Sequence, residues 1–487
     1  MIEPDLYWHL QMGIDICKTG AIVTPNTFTF FTSNQPVLSP NWLADLIYGF
    51  TYMHFGYPVL VILKAVLVGL MLVIVYKVIS HWEFDSFGKS LLLLAVAFFA
   101  SPATNCIRPH VFSDLFMAIL FVLFRIAKNN RKVLWCLPIM FLAWEDLHAG
   151  FIIGLITVFV WTVAESYTYL RNRKSEGEGS NRFPYFYWLI WGLCCSATFF
   201  TPFGFTYPLF VLMAATHHYP GISEWLPIEL VSLLGGLWAA MLVVTIFCLF
   251  KSKKPKDVSL TVVWLMFAIA PLIALRHLQF LGIATALLVG EHLASTWHQL
   301  RSASRVADRK WALPDALFLI ISVGLAGWLI FTAVAQIWTI RRYVPGEPIP
   351  ERSMAILQRI KAHGNMIVNH DWGAYSRWHL QPAVKISYDP RYFAYTEAEH
   401  VANDSFTSGV GPWDTLLEKF PIDIVLVSPA TPAYNLMKLK QGWELVYEDD
   451  ISALFFPTGS SQGKEVKQLL KSLPGGAQNP DLTTPLL

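Results

Sequence analysis

Charged residues are scarce in this sequence. They make up 14% of its 487 residues, against about 25% in an average soluble domain, while 54% of the residues are hydrophobic. The net charge of +2 and the lack of a clustered basic face give no signature of a nucleic-acid partner, because such a partner requires many neutralised phosphates. The six cysteines follow no ligand-like spacing, so neither a disulfide framework nor a zinc site is indicated.

The hydrophobic residues are concentrated between positions 57 and 340. A helix that crosses a bilayer needs roughly 20 predominantly apolar residues, and about ten stretches approach that length. The predicted spans are 57–79, 89–105, 110–127, 132–145, 149–170, 184–201, 228–250, 258–275, 277–297 and 314–340. The sequence therefore predicts an α-helical polytopic membrane bundle, which excludes a chain that is soluble throughout.

The basic residues indicate the orientation of this bundle, because Lys and Arg favour cytoplasmic loops. Four loops are rich in them: 128–132, 171–182, 251–256 and 301–310. The alternate loops contain almost none except Arg108 and Arg276, and we expect them to lie outside a cytoplasmic membrane. By parity, residues 1–56 and the segment after 341 also lie outside. An outer N-terminal segment normally follows a signal peptide or a first span, so we expect a transmembrane helix to be missing before Met1.

The first outer segment, 1–56, contains two predicted amphipathic helices. Asp5 and His9 are four residues apart in the first helix, and therefore share one of its faces. This pair suits a divalent metal, or a base with its partner; the alternative is a capped interfacial helix whose aromatic residues lie among lipid headgroups. Asp45 in the second helix is a further candidate metal ligand or a solvated surface carboxylate.

The remaining outer loops contain the other ionisable residues of the bundle. Such groups at span ends usually face a wet cavity and mark function. They occur in the motifs Arg108-Pro109-His110, Trp144-Glu145-Asp146-Leu147-His148-Ala149-Gly150, Thr201-Pro202-Phe203-Gly204, Glu224-Trp225 and Arg276-His277. Two guanidiniums flanked by histidines suit forked hydrogen bonds to a phosphate, and a lipid-linked phosphate is the expected ligand. Snorkelling anchors are the alternative for each residue taken singly.

Residues 341–457 alternate helical and strand patterns, which predicts a small soluble α/β domain. The Asp371-Trp372-Gly373 and Asp389-Pro390-Arg391 motifs lie at predicted strand ends and are interpreted as turns; ligand binding at these strand ends is the alternative. A phosphate-binding glycine loop and a nucleophile elbow are both lacking, which argues against nucleotide and hydrolase chemistry of those types. Residues 458–487 are rich in Gly, Ser, Pro and Lys and are predicted to be disordered.

Taken in order, these motifs resemble a family of bacterial multi-span proteins described as glycosyltransferases of the GT-C class, which are distantly similar to protein O-mannosyltransferases and aminoarabinose transferases. The matching segments are Asp5 to Gly13, Asn41 to Asp45, Ile107 to His110, Trp144 to Gly150, Thr201 to Gly204, Glu224-Trp225, Arg276-His277, Asp371 to Gly373 and Trp443 to Asp450. Two positions depart from the family pattern. Asp146 stands where members commonly have Asn, and Ala149 replaces the first Gly of a His-Gly-Gly run.

The resemblance implies a GT-C-like bundle with the catalytic carboxylate just after the first span, at Asp5. It implies inverting transfer from a polyprenyl-phosphate-linked sugar to a glycan, lipid or protein acceptor. Arg108, Arg276 and His277 would bind the donor phosphate. The tentative ligands for Mg²⁺ or Mn²⁺ are His9, Asp45, Glu145, Asp146 and His148. The alternatives are a non-enzymatic transporter or cell-envelope assembly scaffold, and a truncated inactive homologue.

Overall fold

The computed structural model describes residues 4–22, 24–25, 28–31, 36–37, 39–104, 106–176, 184–216, 223–304 and 349–472. The tenth predicted span, 314–340, lies outside these residues. The described chain divides into two compact units. The membrane unit contains residues 40–44 and 55–304, and the sheet unit contains 4–39, 45–54 and 349–472.

The membrane unit is a bundle of helices. Its helices are α3 (Tyr57–Ile79), α4 (Ser86–Thr104), α5 (His110–Ala127), α6 (Cys136–Leu147), α7 (Phe151–Glu176), α8 (Tyr185–Ala197), α9 (Thr206–Thr216), α10 (Leu233–Lys251), α11 (Val258–Ile269), α12 (Leu278–Ala284) and α13 (Gly290–Ser304). Among the described residues, five stretches are long and apolar enough to cross a membrane: Tyr57–Ile79, His110–Ala127, Phe151–Asn172, Leu233–Lys251 and Leu275–Ser302. Three shorter apolar helices accompany them.

Helix α3 shows why these helices suit lipid. Val61 and Val68 on one face are buried in the bundle, while Ile62, Val66 and Val73 on the opposite face are about half exposed. In a soluble protein such a face would carry polar side chains, whereas in a bilayer it meets hydrocarbon. The polytopic membrane bundle predicted from the sequence is confirmed.

Every predicted span on the described residues coincides with helical structure, but three are subdivided. The eighth continues from α11 into a 3-10 turn, Ala270–Leu272. The fourth begins as a 3-10 helix, Arg131–Trp135, before α6. The ninth contains a π-helical turn, Thr285–Val289, between α12 and α13. Helix α9, Thr206–Thr216, was not predicted from the sequence.

The sheet unit contains the five-stranded sheet of the C-terminal α/β domain. Its elements are α14 (Glu351–Arg359), β3 (Gly364–Val368), α15 (His370–Leu380), β4 (Val384–Ile386), α16 (Glu397–Ser408), α17 (Thr415–Lys419), β5 (Ile424–Val427), α18 (Pro432–Leu439), β6 (Trp443–Glu448), β7 (Ala453–Pro457) and α19 (Ser461–Ser472). The strand order is β4-β3-β5-β7-β6. Strands β4, β3 and β5 are parallel, and β7 and β6 are antiparallel additions. The α/β domain predicted from the sequence is confirmed.

The sheet is covered on both faces, because all four residues of β5 are buried, as in a central strand of a parallel sheet. Helix α19 contributes to this core through Val466 and Leu470, which are buried beside the strand residues. The predicted disorder of 458–487 is therefore wrong for residues 461–472, since an amphipathic helix with a core to pack against is stabilised there. Residues from 473 onward lie outside the described chain.

The N-terminal segment belongs to the same unit as this sheet. It contains α1 (Pro4–Thr19), β1 (Thr24–Pro25), β2 (Pro36–Val37) and most of α2 (Trp42–Phe55), with β1 and β2 paired antiparallel. Thr29 forms a bridge to Ile386 of β4, so the first loop extends one edge of the sheet. From the sequence, residues 1–56 and the C-terminal α/β domain were predicted to be separate regions. Their association could not be predicted, because the contacts between them join residues far apart in the chain.

Two motifs interpreted as turns have more specific structures. The Asp371-Trp372-Gly373 motif is not a turn but the first turn of α15, where a Cβ on Gly373 would overlap the backbone carbonyl of Tyr388. Asp389 does form a local turn, since its Oδ1 accepts from the Arg391 backbone N–H at 3.0 Å. The same carboxylate is also paired with the Arg391 guanidinium, and both side chains are fully buried.

Candidate functional site

Helix α1 places Asp5 in its first turn. A carboxylate there is stabilised by the positive end of the helix dipole. The Asp5 side chain is partly buried, and it lies close enough to Tyr392 to affect the titration of the phenol. Burial raises the pKa of Tyr392 to about 12, and Asp404, Asp371 and Asp5 add to this by repelling the phenolate. Within the sheet unit, Asp5 therefore lies near Tyr392, in the segment of chain that follows β4.

His9 and Asp45 form a buried pair that joins α1 to α2. The Asp45 carboxylate accepts from His9 Nδ1 at 2.5 Å and from the Ser39 hydroxyl. Burial raises the pKa of Asp45, and the contacts with His9 and Ser39 only partly offset this rise. His9 is 3% exposed and Asp45 is fully buried. The pair therefore serves the contact between the helices, and the interpretation of Asp45 as a solvated surface carboxylate is wrong.

Two glycines allow α1 and α2 to approach closely enough for this pair to form. A Cβ on Gly13 would overlap the backbone carbonyl of Asp45, and a Cβ on Gly49 would overlap the backbone of Gly13. Neither glycine has a positive φ angle, so the need is for space rather than for unusual backbone conformation.

Helix α15 holds α1 from the side of the sheet. Tyr7 packs edge-on against Tyr375 with ring centroids 5.1 Å apart. The Gln381 amide donates to Gln11, and Arg377 lies 3.7 Å from the Asp15 carboxylate. The helix that carries Asp5 is thus built into the core of the sheet unit.

In the membrane unit, four residues from three loops form what we call the arginine cluster: Arg108, Glu224, Trp225 and Arg276. Arg108 Nη1 donates to Glu224 Oε2 at 3.0 Å, and the Arg276 guanidinium stacks over Trp225, 4.5 Å from the ring centroid. Burial raises the pKa of Glu224, but Arg108, Arg276 and His110 outweigh burial and lower it. The structure therefore brings Arg108 and Arg276, 168 residues apart in the sequence, to one carboxylate.

Short backbone contacts position this cluster. The N–H of Leu275 donates to the carbonyl of Leu226 at 2.8 Å, and the N–H of Ile228 donates to the carbonyl of Pro271 at 2.9 Å. These bonds tie the loop that carries Glu224 and Trp225 to the 3-10 turn Leu275–His277, which carries Arg276. His277 follows on the same turn and is partly buried.

His148 lies at the end of α6, beside the start of α5. Its Nδ1 accepts from the Gly150 backbone N–H at 3.1 Å and contacts Ser113 Oγ at 2.7 Å, while Ser113 Oγ accepts from Trp144 Nε1 at 2.7 Å. An Nδ1 atom that accepts places the proton of a neutral imidazole on Nε2. His148 is therefore arranged as an Nε2–H donor rather than as an Nε2 metal ligand.

Glu145 and Asp146 occupy the last turn of α6. Asp146 Oδ1 accepts from Trp42 Nε1 at 2.6 Å and from the Thr201 hydroxyl at 3.1 Å. Glu145 is fully buried. These contacts give Asp146 a structural role in joining α6 to Trp42 at the start of α2.

The tentative metal ligands are divided between the two units: His9 and Asp45 belong to the sheet unit, and Glu145, Asp146 and His148 belong to the membrane unit. Across the described ranges, no group of three or more His, Cys, Asp and Glu side chains is placed to hold a metal ion. His9 and Asp45 are bonded to each other, and His148 Nδ1 is already used by Gly150 and Ser113. A divalent metal ion therefore stays a prediction, and no step of the proposed reaction is assigned to it.

The sequence missed the partners of several residues. Glu224 and Trp225 were recognised as a motif but were given no role, because no local pattern in the sequence pairs them with Arg108 or Arg276. Ser113 lies inside an apolar span, where nothing in the local pattern marks it. Arg377 is buried in α15, and only its helical spacing to other core positions hints at this.

A scan of family models and a search of curated proteins give no match. Solved structures are similar in fold. The oligosaccharyltransferase of Archaeoglobus fulgidus in its apo form aligns over 88% of this chain and 66% of its own, with a TM-score of 0.55 and 13% identity. Its complex with a tethered acceptor peptide containing an NVT sequon aligns over 88% and 65%, with a TM-score of 0.55 and 14% identity. This chain thus spans just under two thirds of the archaeal protein.

A further structure, ArnT from Cupriavidus metallidurans bound to undecaprenyl phosphate, aligns over 94% of both chains with a TM-score of 0.49 and 11% identity. At these identities, the similarity to the archaeal oligosaccharyltransferase establishes the fold rather than the activity. The chain accordingly has a GT-C-type fold, a helical membrane bundle with a C-terminal α/β domain.

Proposed function

We propose that this protein is a membrane glycosyltransferase that takes a sugar from a polyprenyl-phosphate donor. The observation that carries the proposal is the arginine cluster, where Arg108 and Arg276 converge on Glu224. Two guanidiniums beside one carboxylate leave an excess of one positive charge, which suits a lipid-linked phosphate. The GT-C-type fold supports the proposal, because the archaeal protein of similar fold is an oligosaccharyltransferase.

The reaction requires one base and one stabilised leaving group. The acceptor oxygen forms a bond to the anomeric carbon while the bond from that carbon to the phosphate oxygen breaks, and the phosphate leaves with the electron pair. The acceptor proton passes to the Asp5 carboxylate, and the configuration of the sugar is inverted. Arg108 and Arg276, with His277 beside them, stabilise the charge that develops on the leaving phosphate.

Asp5 is the residue we propose as the base. It is partly buried, so it keeps access to solvent, whereas Asp45 and His9 are enclosed and bonded to each other. The donor and acceptor face the outside of the cytoplasmic membrane in this proposal, on the side of the loops that lack Lys and Arg. The acceptor is a glycan, lipid or protein nucleophile.

The test is sugar transfer by the full chain reconstituted in liposomes, with polyprenyl-phosphate-linked sugars as donors and mass spectrometry of the lipid products. Asp5→Asn keeps the size of the side chain but removes the basic carboxylate, so the rate should fall by about 10²-fold or more. Asp450→Asn is the matched control, because Asp450 is an exposed carboxylate in the turn between β6 and β7. Full activity of Asp5→Asn would refute its role as the base.

A further inference from the structure

Glu224 is the acid of the arginine cluster, and the proposed reaction gives it no role. Its side chain is 41% exposed, and that of its partner Arg108 is 25% exposed. A carboxylate beside a phosphate site is unfavourable for binding, since like charges repel over short distances. Its presence next to both guanidiniums therefore calls for a physical explanation.

The charge of the cluster provides one. Two guanidiniums and one carboxylate give the cluster a net charge of +1. A phosphate that links a lipid to a sugar is a diester with a single negative charge. The phosphate monoester that remains after transfer carries about 1.5 to 2 negative charges at pH 7, since its second pKa is near 6. A cluster of charge +1 is thus matched to the donor rather than to the lipid product.

The contacts within the cluster are compatible with the same preference. Arg108 Nη1 donates to Glu224 Oε2, and the Arg276 guanidinium lies over the Trp225 ring, 4.5 Å from its centroid. A diester has two unesterified oxygens, which two guanidiniums can share while Glu224 keeps its contact with Arg108.

We propose that Glu224 determines the charge selectivity of this phosphate site, favouring a singly charged phosphodiester over a doubly charged lipid monophosphate. This inference rests on the proposed function and adds a role for Glu224 in releasing the product. When the sugar leaves, the phosphate gains charge, and repulsion by Glu224 weakens its hold on the cluster. Glu224 contacts a residue of the donor site, so it is a specificity-determining residue and not the base.

The experiment compares two lipids that differ by one charge, a polyprenyl monophosphate and its monomethyl ester. Binding to the full chain in detergent is measured at pH 8, where imidazoles of ordinary pKa are neutral. Wild type should bind the methyl ester at least as tightly as the monophosphate. Glu224→Gln should bind the monophosphate about tenfold more tightly than wild type does, with a smaller gain for the methyl ester. The reason is that the Glu224 carboxylate and a phosphate charge about 10 Å apart still repel each other appreciably at an effective dielectric of about 20.

Glu229→Gln is the matched control. Glu229 lies in the same loop and is exposed, so the same change in net charge should leave the preference between the two lipids unchanged. If Glu224→Gln behaves like Glu229→Gln, or weakens binding of the monophosphate, the inference is overturned while the donor site stands. If neither lipid binds wild type, or if Arg108→Gln binds both as well as wild type does, the donor site itself is wrong and the inference fails with it.

Discussion

Replacing Asp389 by Asn should destabilise the sheet unit strongly, because it breaks a fully buried ion pair. Arg391 Nη2 donates to Asp389 Oδ2 at 2.6 Å, and Arg391 Nε donates to both carboxylate oxygens at 3.0 Å. Neither side chain is exposed to solvent. Arg377 is buried nearby and lowers the pKa of the Asp389 carboxyl along with Arg391, both acting against the effect of burial.

The magnitude follows from what remains after the change. Asn keeps the shape of Asp389 but removes the only negative charge bonded to Arg391 in the described contacts, which leaves that guanidinium buried beside Arg377. Breaking a buried pair by removing one partner costs about 3–5 kcal/mol. The expected result for Asp389→Asn is therefore a loss of about that size in the free energy of unfolding, against about 0.5 kcal/mol or less for Asp450→Asn at an exposed site.

The assay is thermal and denaturant unfolding of the full chain in detergent, followed by limited proteolysis of the sheet unit. Because the pKa of Asp389 is lowered on folding, its contribution is present above the ordinary carboxyl pKa near 3.9 and is lost as pH falls through the lower folded value. Wild type and Asp389→Asn should therefore differ at neutral pH and converge in strong acid. Equal stability of the two at pH 7 would refute the argument.

Two further predictions concern the helices and the topology. Gly13→Ala should destabilise the protein by about 1–3 kcal/mol in the same unfolding assay, because the added methyl group would overlap the backbone of Asp45. Gly69→Ala is the control and should be neutral or stabilising, because the methyl group added there in α3 meets open space. A reporter that is active only in the cytoplasm, fused after residue 472 so that α19 stays intact, should be silent if the sheet unit lies outside; strong reporter signal would place that unit inside and contradict the proposed side of the reaction.

The helices of this protein were largely predictable from its sequence, because the signals that define them are local. Span 57–79 coincides with α3 and span 110–127 with α5, since a run of apolar residues needs only its own length to specify a helix in lipid. Gly20, with a φ of 69°, directly follows the last residue of α1, and a glycine in this conformation is a common local signal for a helix end. The main error was the prediction that residues 461–472 are disordered. The apolar face of α19 is stabilised only by packing against the sheet, and the local sequence does not reveal that contact.

The arrangement of the candidate site depended on contacts between residues far apart in the chain. The sequence placed Asp5 and His9 on one face of α1, but only the packing of α1 against α2 at Gly13 turned His9 towards Asp45. It also identified Arg108 and Arg276 as exceptional cations, and the tertiary structure added the acid between them, Glu224. Sequence periodicity determines which residues are helical and which faces are apolar, whereas the pairing of charges is decided by the distances that exist only once the helices have packed.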